Sequence, residues 1–175
     1  MNDIKRALFI GRFQPFHNGH MYAITQILNE VDEIIIAVGS AQLSFYVNNP
    51  FTAGERVEMI RLALLEKNIS PTKFWIIPVP DVNNNAIWVS HISSLVPHYS
   101  VVYSNNPLVK QLFKSANVPV KPIPLVERSE FSATKIRQLM IEGKKWEHLV
   151  PKSVAQYIKK IQGPQRLKAL LMKDE

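Results

Sequence analysis

Cysteine is absent from this 175-residue sequence, and glycine is scarce, with only 6 residues. The lack of cysteine excludes disulfide bonds, thiolate metal ligands and a catalytic thiol. There is also no run of about 18 apolar residues, which a membrane-spanning helix needs. The first residues contain no long apolar stretch of the kind found in secretory signal peptides, so the sequence predicts a cytoplasmic protein.

Negative charge is scarce towards the C-terminus. Residues 1–134 carry 11 Lys and Arg against 10 Asp and Glu, whereas residues 135–175 carry 10 against 4. Such a basic region suits nucleic acid, a membrane surface or a polyphosphate ligand, and it also occurs as an ordinary solvated helix face. The region lacks a series of aromatic stacking groups and a known nucleic-acid-binding pattern, so we predict no nucleic-acid partner. We also predict no membrane association.

Short apolar runs alternate with helical patterns along the first three quarters of the chain. The runs that predict strands are 7–10, 34–38, 74–79, 100–103 and 120–125, and the helical patterns are roughly 20–30, 53–66, 86–96 and 106–116. Near-continuous apolar strands are typical of parallel sheets that are buried on both faces. The pattern predicts a Rossmann-like, doubly wound α/β fold with a mainly parallel sheet of five to six strands.

After Phe131 the pattern is helical to the end of the chain. The apolar residues of one segment follow helical spacing, namely Val154, Tyr157, Ile158 and Ile161, and Gly163-Pro164 ends that helix before a short last one. We therefore predict one domain over residues 1–175. It comprises an α/β core at 1–130 and a C-terminal helical subdomain at 131–175.

The junction between the first strand and the first helix reads GRFQPFHNGH, from Gly11 to His20. A strand-to-helix junction gathers backbone N–H groups at a positive helix end, which is an arrangement that binds phosphate. His17 and His20 are three residues apart, so both rings lie on one helix face. Two histidines without a third ligand make a poor zinc site and suit a phosphoryl transition state better, although they could also simply cap the helix. Arg12 adds a permanent cation whose fork of donors fits phosphate.

Four of the six glycines, at 11, 19, 39 and 54, lie in or beside the loops after the first two strands. This clustering predicts close backbone approach or positive φ angles around a phosphate-binding wall. Gly39 and Gly54 also suit ordinary turns, and Gly11 and Gly19 suit them less well.

The segment from Gly11 to His20 resembles the signature of the HxGH nucleotidylyltransferases and, more narrowly, of the archaeal-type nicotinamide-mononucleotide (NMN) adenylyltransferases. Further segments match that narrower family in the same order, namely GSAQ at 39–42, NPFTAGER at 49–56, NAIWV at 85–89, YSNNP at 103–107 and FSATKIR at 131–137. The resemblance covers residues 6 to about 160. The chain departs from it at Ala133, where Ser or Gly is frequent, and at Asn48, where some similar proteins have a basic residue.

The resemblance implies that the chain makes NAD⁺ and diphosphate from NMN and ATP, with Mg²⁺ arriving on ATP and no dedicated protein metal site. It implies catalytic roles for Arg12, His17 and His20. The implied ATP and phosphate contacts come from Gly11, Phe13, Gly19, Asn106, Arg128, Ser132, Thr134 and Arg137. The implied NMN contacts come from Gly39, Ser40, Asn85 and Trp88. Similar enzymes are commonly homo-oligomers, so a homo-oligomer is expected.

Several of these residues also have ordinary structural explanations. Trp88 on an early helical turn would usually belong to the core, and Asn85 would usually cap its helix. Arg128 and Arg137 could form surface salt bridges. Thr52 and Glu55 have the spacing of a capping box, which predicts a helix start.

Other functions remain open from the sequence. The nearest alternative is another HxGH enzyme that adenylates flavin mononucleotide or phosphopantetheine, or one that uses CTP. A non-catalytic nucleic-acid-binding protein would instead show binding that weakens steeply with salt and does not depend on His17. A second, hydrolase module is disfavoured because no residues remain for it.

Overall fold

The computed structural model describes residues 4–123 and 131–172. In those residues the strands are β1 (Arg6–Gly11), β2 (Glu33–Val38), β3 (Phe74–Pro78), β4 (Val101–Tyr103) and β5 (Val120–Lys121). The α-helices are α1 (Asn18–Leu28), α2 (Ala53–Glu66), α3 (Asn85–Leu95), α4 (Pro107–Ser115), α5 (Ala133–Glu142), α6 (Lys152–Lys160) and α7 (Gly163–Ala169). Short 3-10 turns occupy Pro71–Lys73 and Glu147–Leu149.

The five strands form one sheet in the order β3-β2-β1-β4-β5, and every neighbouring pair is parallel. Leu8 of β1 lies between Ile35 of β2 and Val102 of β4, and all three side chains are fully buried. A strand that is covered on both faces needs apolar residues at consecutive positions, which explains the near-continuous apolar runs. The predicted Rossmann-like parallel sheet is confirmed.

Helices cover both faces of the sheet. One core contains Ile24 of α1 and Ile60 of α2, together with Ile158 of α6 and Leu167 of α7. The opposite core contains Ile92 of α3 and Phe113 of α4. The C-terminal helices thus pack into the same core as α1 and α2. Within the described ranges, none of the helices is long and apolar enough to cross a membrane.

The strand order reverses at β1, because β2 and β3 lie on one side of it and β4 and β5 on the other. The loops that follow β1 and β4 therefore leave the sheet in different directions and open a crevice at its carboxyl edge. Ligands of open α/β sheets bind in such crevices.

Two local details differ from the sequence-based expectation. The strand predicted at 120–125 is ordered as β5 only at Val120–Lys121, and positions 124–125 lie outside the described residues. Gly163-Pro164 does not merely end α6, because these two residues form the first turn of α7. Proline is favoured in a first turn because its missing N–H would have no helical partner there.

Candidate active site

His17 and His20 cap the start of α1 through each other's backbone. The N–H of His20 donates to Nδ1 of His17 at 3.4 Å, and the N–H of His17 donates to Nδ1 of His20 at 3.2 Å. This reciprocal pair is a capping box built from two imidazoles. The capping role that the sequence left open is therefore confirmed, and it fixes both rings at the end of β1.

The same hydrogen bonds determine the protonation of the two rings. Because Nδ1 of each ring accepts a hydrogen bond, the neutral imidazole carries its proton on Nε2. The rings stack with centroids 3.6 Å apart. Burial lowers the pKa of His17 to about 4, and burial together with the nearby His17 lowers the pKa of His20. At neutral pH the pair therefore presents two uncharged N–H donors.

The low pKa of His17 makes the fold sensitive to acid. Its folded pKa of about 4 lies below its ordinary value of 6.5, so the unfolded chain binds more protons between these pH values. The contribution of neutral His17 to the free energy of unfolding is therefore fully present above pH 6.5 and is lost as the pH drops towards 4. We expect His17 alone to remove about 2 kcal/mol from the free energy of unfolding between pH 7 and pH 5, measured by urea denaturation.

The His17→Asn variant should lose less stability over the same pH interval, because asparagine caps a helix without titrating. The His98→Gln variant is the matched control, since His98 is exposed, and it should keep the wild-type pH dependence. An equal pH dependence in wild type and His17→Asn would contradict the assignment.

Two glycines beside the histidines are closely packed. A Cβ atom at Gly11 would lie 2.8 Å from the ring of Phe13, and one at Gly19 would lie 3.1 Å from the ring of His17. Side chains thus pack closely against these two glycines, and the approach of a phosphate to their backbone stays a prediction. Gly39 and Gly54 have ordinary room for a side chain, as turn glycines do.

The positive φ angles predicted for the glycine cluster occur elsewhere. None of those four glycines has a positive φ, whereas Phe13 (φ 52°) and Ser40 (φ 49°) do. The Phe13 ring is buried and meets the His20 ring edge-on at 4.8 Å. Its predicted contact with ATP can therefore involve only its main chain, because its buried side chain packs against the His20 ring.

Arg137 of α5 is buried against the loop that holds the histidines. Only 6% of it is exposed, and its Nη1 donates to the backbone oxygen of Gln14 at 2.7 Å. Its Nη2 donates to Thr134 at 3.4 Å and reaches Asn48 at 3.5 Å. The surface salt bridge considered for Arg137 is therefore wrong. Arg128, the other arginine considered, lies outside the described residues.

The start of α5 lies beside the start of α1. The Ser132 side chain caps α5 by accepting the N–H of Lys135 at 3.1 Å. A Cβ atom at Gly19, in the first turn of α1, would be 3.0 Å from Cβ of Phe131. Two positive helix ends with N–H groups available at their first turns thus meet near the histidines, which favours an anion between them.

A cleft of about 290 Å³ opens at the carboxyl edge of the sheet. Among the residues that line it are Gly11, Arg12, Gly39, Ser40, Asp81, Trp88, Ser104 and Asn106. Six of these were expected from the sequence to touch ATP or NMN, and the fold brings them together. Asp81 and Ser104 were not expected from the sequence.

Trp88 packs partly into the core and also faces the cleft, and its contact with NMN stays a prediction. It is half-buried, with its ring packed edge-on against Phe113 of α4 at 5.7 Å, and it also lines the cleft. Asn106 likewise lines the cleft while its side chain caps α4 by accepting the N–H groups of Leu108 and Val109.

Asn85 is placed differently from the other expected residues. It is exposed and lines a separate groove between α3 and α4 with Leu112. The cap of α3 is its neighbour Asn84, which accepts the N–H of Ala86 at 3.0 Å, so the capping role considered for Asn85 is wrong. A contact of Asn85 with NMN stays a prediction.

Arg56 is a buried residue for which the sequence analysis predicted no functional role. Its side chain is fully buried in the first turns of α2, behind the predicted capping box of Thr52 and Glu55. Burial lowers the pKa of Arg56 to about 10, so the guanidinium stays charged at neutral pH. One signal was available: Arg56 occupies the helix stripe that continues with Met59, Ile60 and Ala63, all of which are buried.

Metal-ligating side chains are dispersed in the part of the chain that the structure describes. No group of three His, Asp or Glu residues lies close enough together there to hold an ion.

Comparison with known proteins identifies the family. Residues 8–139 match the cytidylyltransferase-like family. The nicotinamide-nucleotide adenylyltransferase of Methanosarcina barkeri is 53% identical over 97% of this chain and 96% of its own length. That of Pyrococcus furiosus is 51% identical over 95% of this chain and 89% of its own length.

Solved structures share the fold. A bifunctional NMN adenylyltransferase/ADP ribose pyrophosphatase from Francisella tularensis, complexed with AMP and a manganese ion, matches with a TM-score of 0.83 and 24% identity. The match covers 96% of this chain, which spans about half (52%) of that protein's length. The nicotinic acid mononucleotide adenylyltransferase of Plasmodium falciparum matches with a TM-score of 0.66 and 13% identity over 93% of this chain and 98% of its own. On the strength of the sequence matches, the chain belongs to the nicotinamide-nucleotide adenylyltransferases of the cytidylyltransferase-like family.

Proposed function

We propose that this enzyme joins NMN to the adenylyl group of ATP, giving NAD⁺ and diphosphate. An oxygen of the NMN 5′-phosphate forms a bond to the α-phosphorus of ATP, and the bond from that phosphorus to the bridging oxygen of the diphosphate breaks. No protein nucleophile is needed. The observation that carries the proposal is the hydrogen bond from Arg137 to the backbone oxygen of Gln14, which joins the FSATKIR segment at 131–137 to the loop that holds the two histidines.

The charges of the site suit a triphosphate. The pKa values of Arg56 and Arg137 are lowered first by burial and also by the positive charge of Arg12. The guanidinium groups of Arg12, Arg56 and Arg137 therefore lie near one another, and the Asp81 carboxylate partly offsets the charge of Arg56. Mutual repulsion of this kind is relieved when a polyphosphate binds.

The histidines then serve as positioned hydrogen-bond donors. In phosphoryl-type transfer the protein contributes mainly orientation and stabilisation of charge as it shifts to the leaving group. Two fixed Nε2–H groups at the first turn of α1 suit the α- and β-phosphate oxygens, and Arg12 and Arg137 supply the positive charge. Ser132, Thr134 and the first turn of α5 add further donors.

In this proposal the NMN half of the product contacts Gly39, Ser40 and Trp88, and the indole of Trp88 supplies a flat surface for the nicotinamide ring. All three residues line the cleft, which supports this assignment. ATP would enter as its Mg²⁺ complex, and phosphate oxygens and water would be the ligands of the ion, since Mg²⁺ prefers them. The remaining expectations are part of the same proposal: a cytoplasmic homo-oligomer that acts on small molecules, without nucleic-acid or membrane partners.

The proposal is tested by measuring diphosphate release with a panel of acceptors and donors. NMN with ATP should support turnover far above flavin mononucleotide or phosphopantetheine, and CTP should replace ATP poorly. The deamido form of NMN is included to measure the preference for the amide. Faster turnover with flavin mononucleotide, phosphopantetheine or CTP would replace this function with that of another HxGH enzyme.

A further inference from the structure

Arg56 holds the two loops that form the wall of the cleft. Its Nη1 donates to the backbone oxygens of Arg12 at 2.9 Å and Gly39 at 2.7 Å, and its Nη2 donates to that of Ser40 at 3.1 Å. Its Nε donates to the oxygen of Thr52 in its own helix at 3.2 Å. Four of its five N–H bonds are thus directed at backbone carbonyls, and none of these partners is a carboxylate.

These carbonyls flank two of the six non-glycine residues that have a positive φ in the part of the chain that the structure describes. The oxygen of Arg12 precedes Phe13, and the oxygens of Gly39 and Ser40 lie on either side of the Ser40 backbone. Phe13 and Ser40 both have a positive φ, which residues with a side chain adopt only when their surroundings hold them there. One buried fork of donors therefore fixes both strained turns at once.

The same two turns carry Arg12, Gly39 and Ser40 into the cleft. We propose that Arg56 is a positioning residue for adenylyl transfer, which keeps Arg12 and the Ser40 turn in the geometry that binds the nucleotides without itself touching them. This inference rests on the proposed function for its kinetic readout. It goes beyond that function because it assigns a role to a residue under the site.

A purely structural role makes different predictions. If Arg56 only stabilises the fold, its replacement lowers the melting temperature and leaves the kinetics of the folded fraction unchanged. If Arg56 positions Arg12, the contribution of the Arg12 side chain to kcat/KM depends on Arg56. The effects of replacing Arg12 and Arg56 on kcat/KM are then not additive.

The test is a double-mutant cycle between Arg12→Ala and Arg56→Lys, with Arg56→Met as a second replacement. Lysine keeps the charge but not the planar fork, so it cannot reach the carbonyls of both loops. Each chain is measured for kcat/KM of NMN and ATP per folded molecule and for the Kd of ATP. We expect Arg56→Lys to lower kcat/KM by about 10–100-fold, an effect similar to the loss of positioned donors.

The coupling is the decisive result. In the wild-type background Arg12→Ala should lower kcat/KM by about 10²-fold, whereas in the Arg56→Lys background it should cost no more than about 10-fold. Arg166→Lys is the control, because Arg166 is a half-buried guanidinium that donates to Glu55 and to the backbone oxygen of Pro50, away from the cleft. That variant should lose stability and keep the full effect of Arg12→Ala.

Every chain is also made with Ser40→Gly, since glycine adopts a positive φ without strain and should keep poorly stable Arg56 variants folded.

Two results would overturn the inference. In the first, Arg12→Ala lowers kcat/KM equally in the wild-type and Arg56→Lys backgrounds. In the second, Arg56→Lys and Arg56→Met both keep the wild-type kcat/KM. The Kd of ATP separates the two proposals. If Arg12→Ala and Arg56→Lys are coupled in their effects on the Kd of ATP but the enzyme does not turn over NMN, only the proposed function is contradicted. Additive effects with normal NAD⁺ formation contradict the positioning role alone.

Discussion

Replacing His20 with asparagine should lower kcat by about 10²–10³-fold while the melting temperature changes little. Asparagine places its side-chain oxygen near the position of Nδ1, so it can still accept the N–H of His17. It lacks the Nε2–H that we assign to the phosphate oxygens. The loss is therefore confined to a donor whose bond strengthens as charge moves to the leaving diphosphate. The measurement is NAD⁺ formation at saturating NMN and ATP.

A comparison with His20→Ala separates chemistry from folding. Alanine removes both the acceptor and the donor, so this variant should show the same fall in kcat and also lose about 1 kcal/mol of stability from the weakened cap. His98→Gln is the control because that histidine is exposed. A folded His20→Asn protein that makes NAD⁺ at nearly the wild-type rate would show that the imidazole only caps the helix.

The architecture was predictable because its signals are local. The run Ile34-Ile35-Ile36-Ala37-Val38 is buried on both faces, so its composition alone indicates a central parallel strand. The capping box of α2 is likewise a local signal, because its two residues, Thr52 and Glu55, are three positions apart. The cap forms between near neighbours, whereas the strand pairs with the distant strands β1 and β3. Its local composition nevertheless indicates burial on both faces, and the order of the elements in the chain restricts the topology to a few possibilities.

The site was predictable only in part. His17 and His20 are three residues apart, so their shared helix face follows from spacing, but the identity of Nδ1 as the acceptor requires the cap geometry. Arg56 was missed because its acceptor Arg12 is 44 positions away and because arginine is usually exposed. The bond from Arg137 to Gln14 spans 123 positions, so nothing local indicates that this arginine is buried.

Arg137→Met should lower kcat/KM for ATP by about 10²-fold and also destabilise the fold. The substitution removes the cation that we assign to the triphosphate and leaves the buried carbonyl of Gln14 without its partner, at a cost of about 1–3 kcal/mol. Steady-state kinetics and urea denaturation measure the two effects on the same samples. Arg61→Met, on the exposed face of α2, is the control and should change neither quantity appreciably.

Arg137→Lys separates the contribution of the positive charge at this position from that of the planar guanidinium with its several N–H donors. Lysine can donate to the carbonyl of Gln14 and restore much of the stability, but a single ammonium cannot also reach Thr134 as Nη2 does. We therefore expect stability near wild type with kcat/KM for ATP still about 10-fold low, because planar two-point binding of phosphate is lost. If Arg137→Met were destabilised yet kept the wild-type kcat/KM for ATP, the residue would only join α5 to the histidine loop. The triphosphate would then be held by Arg12 and the helix ends.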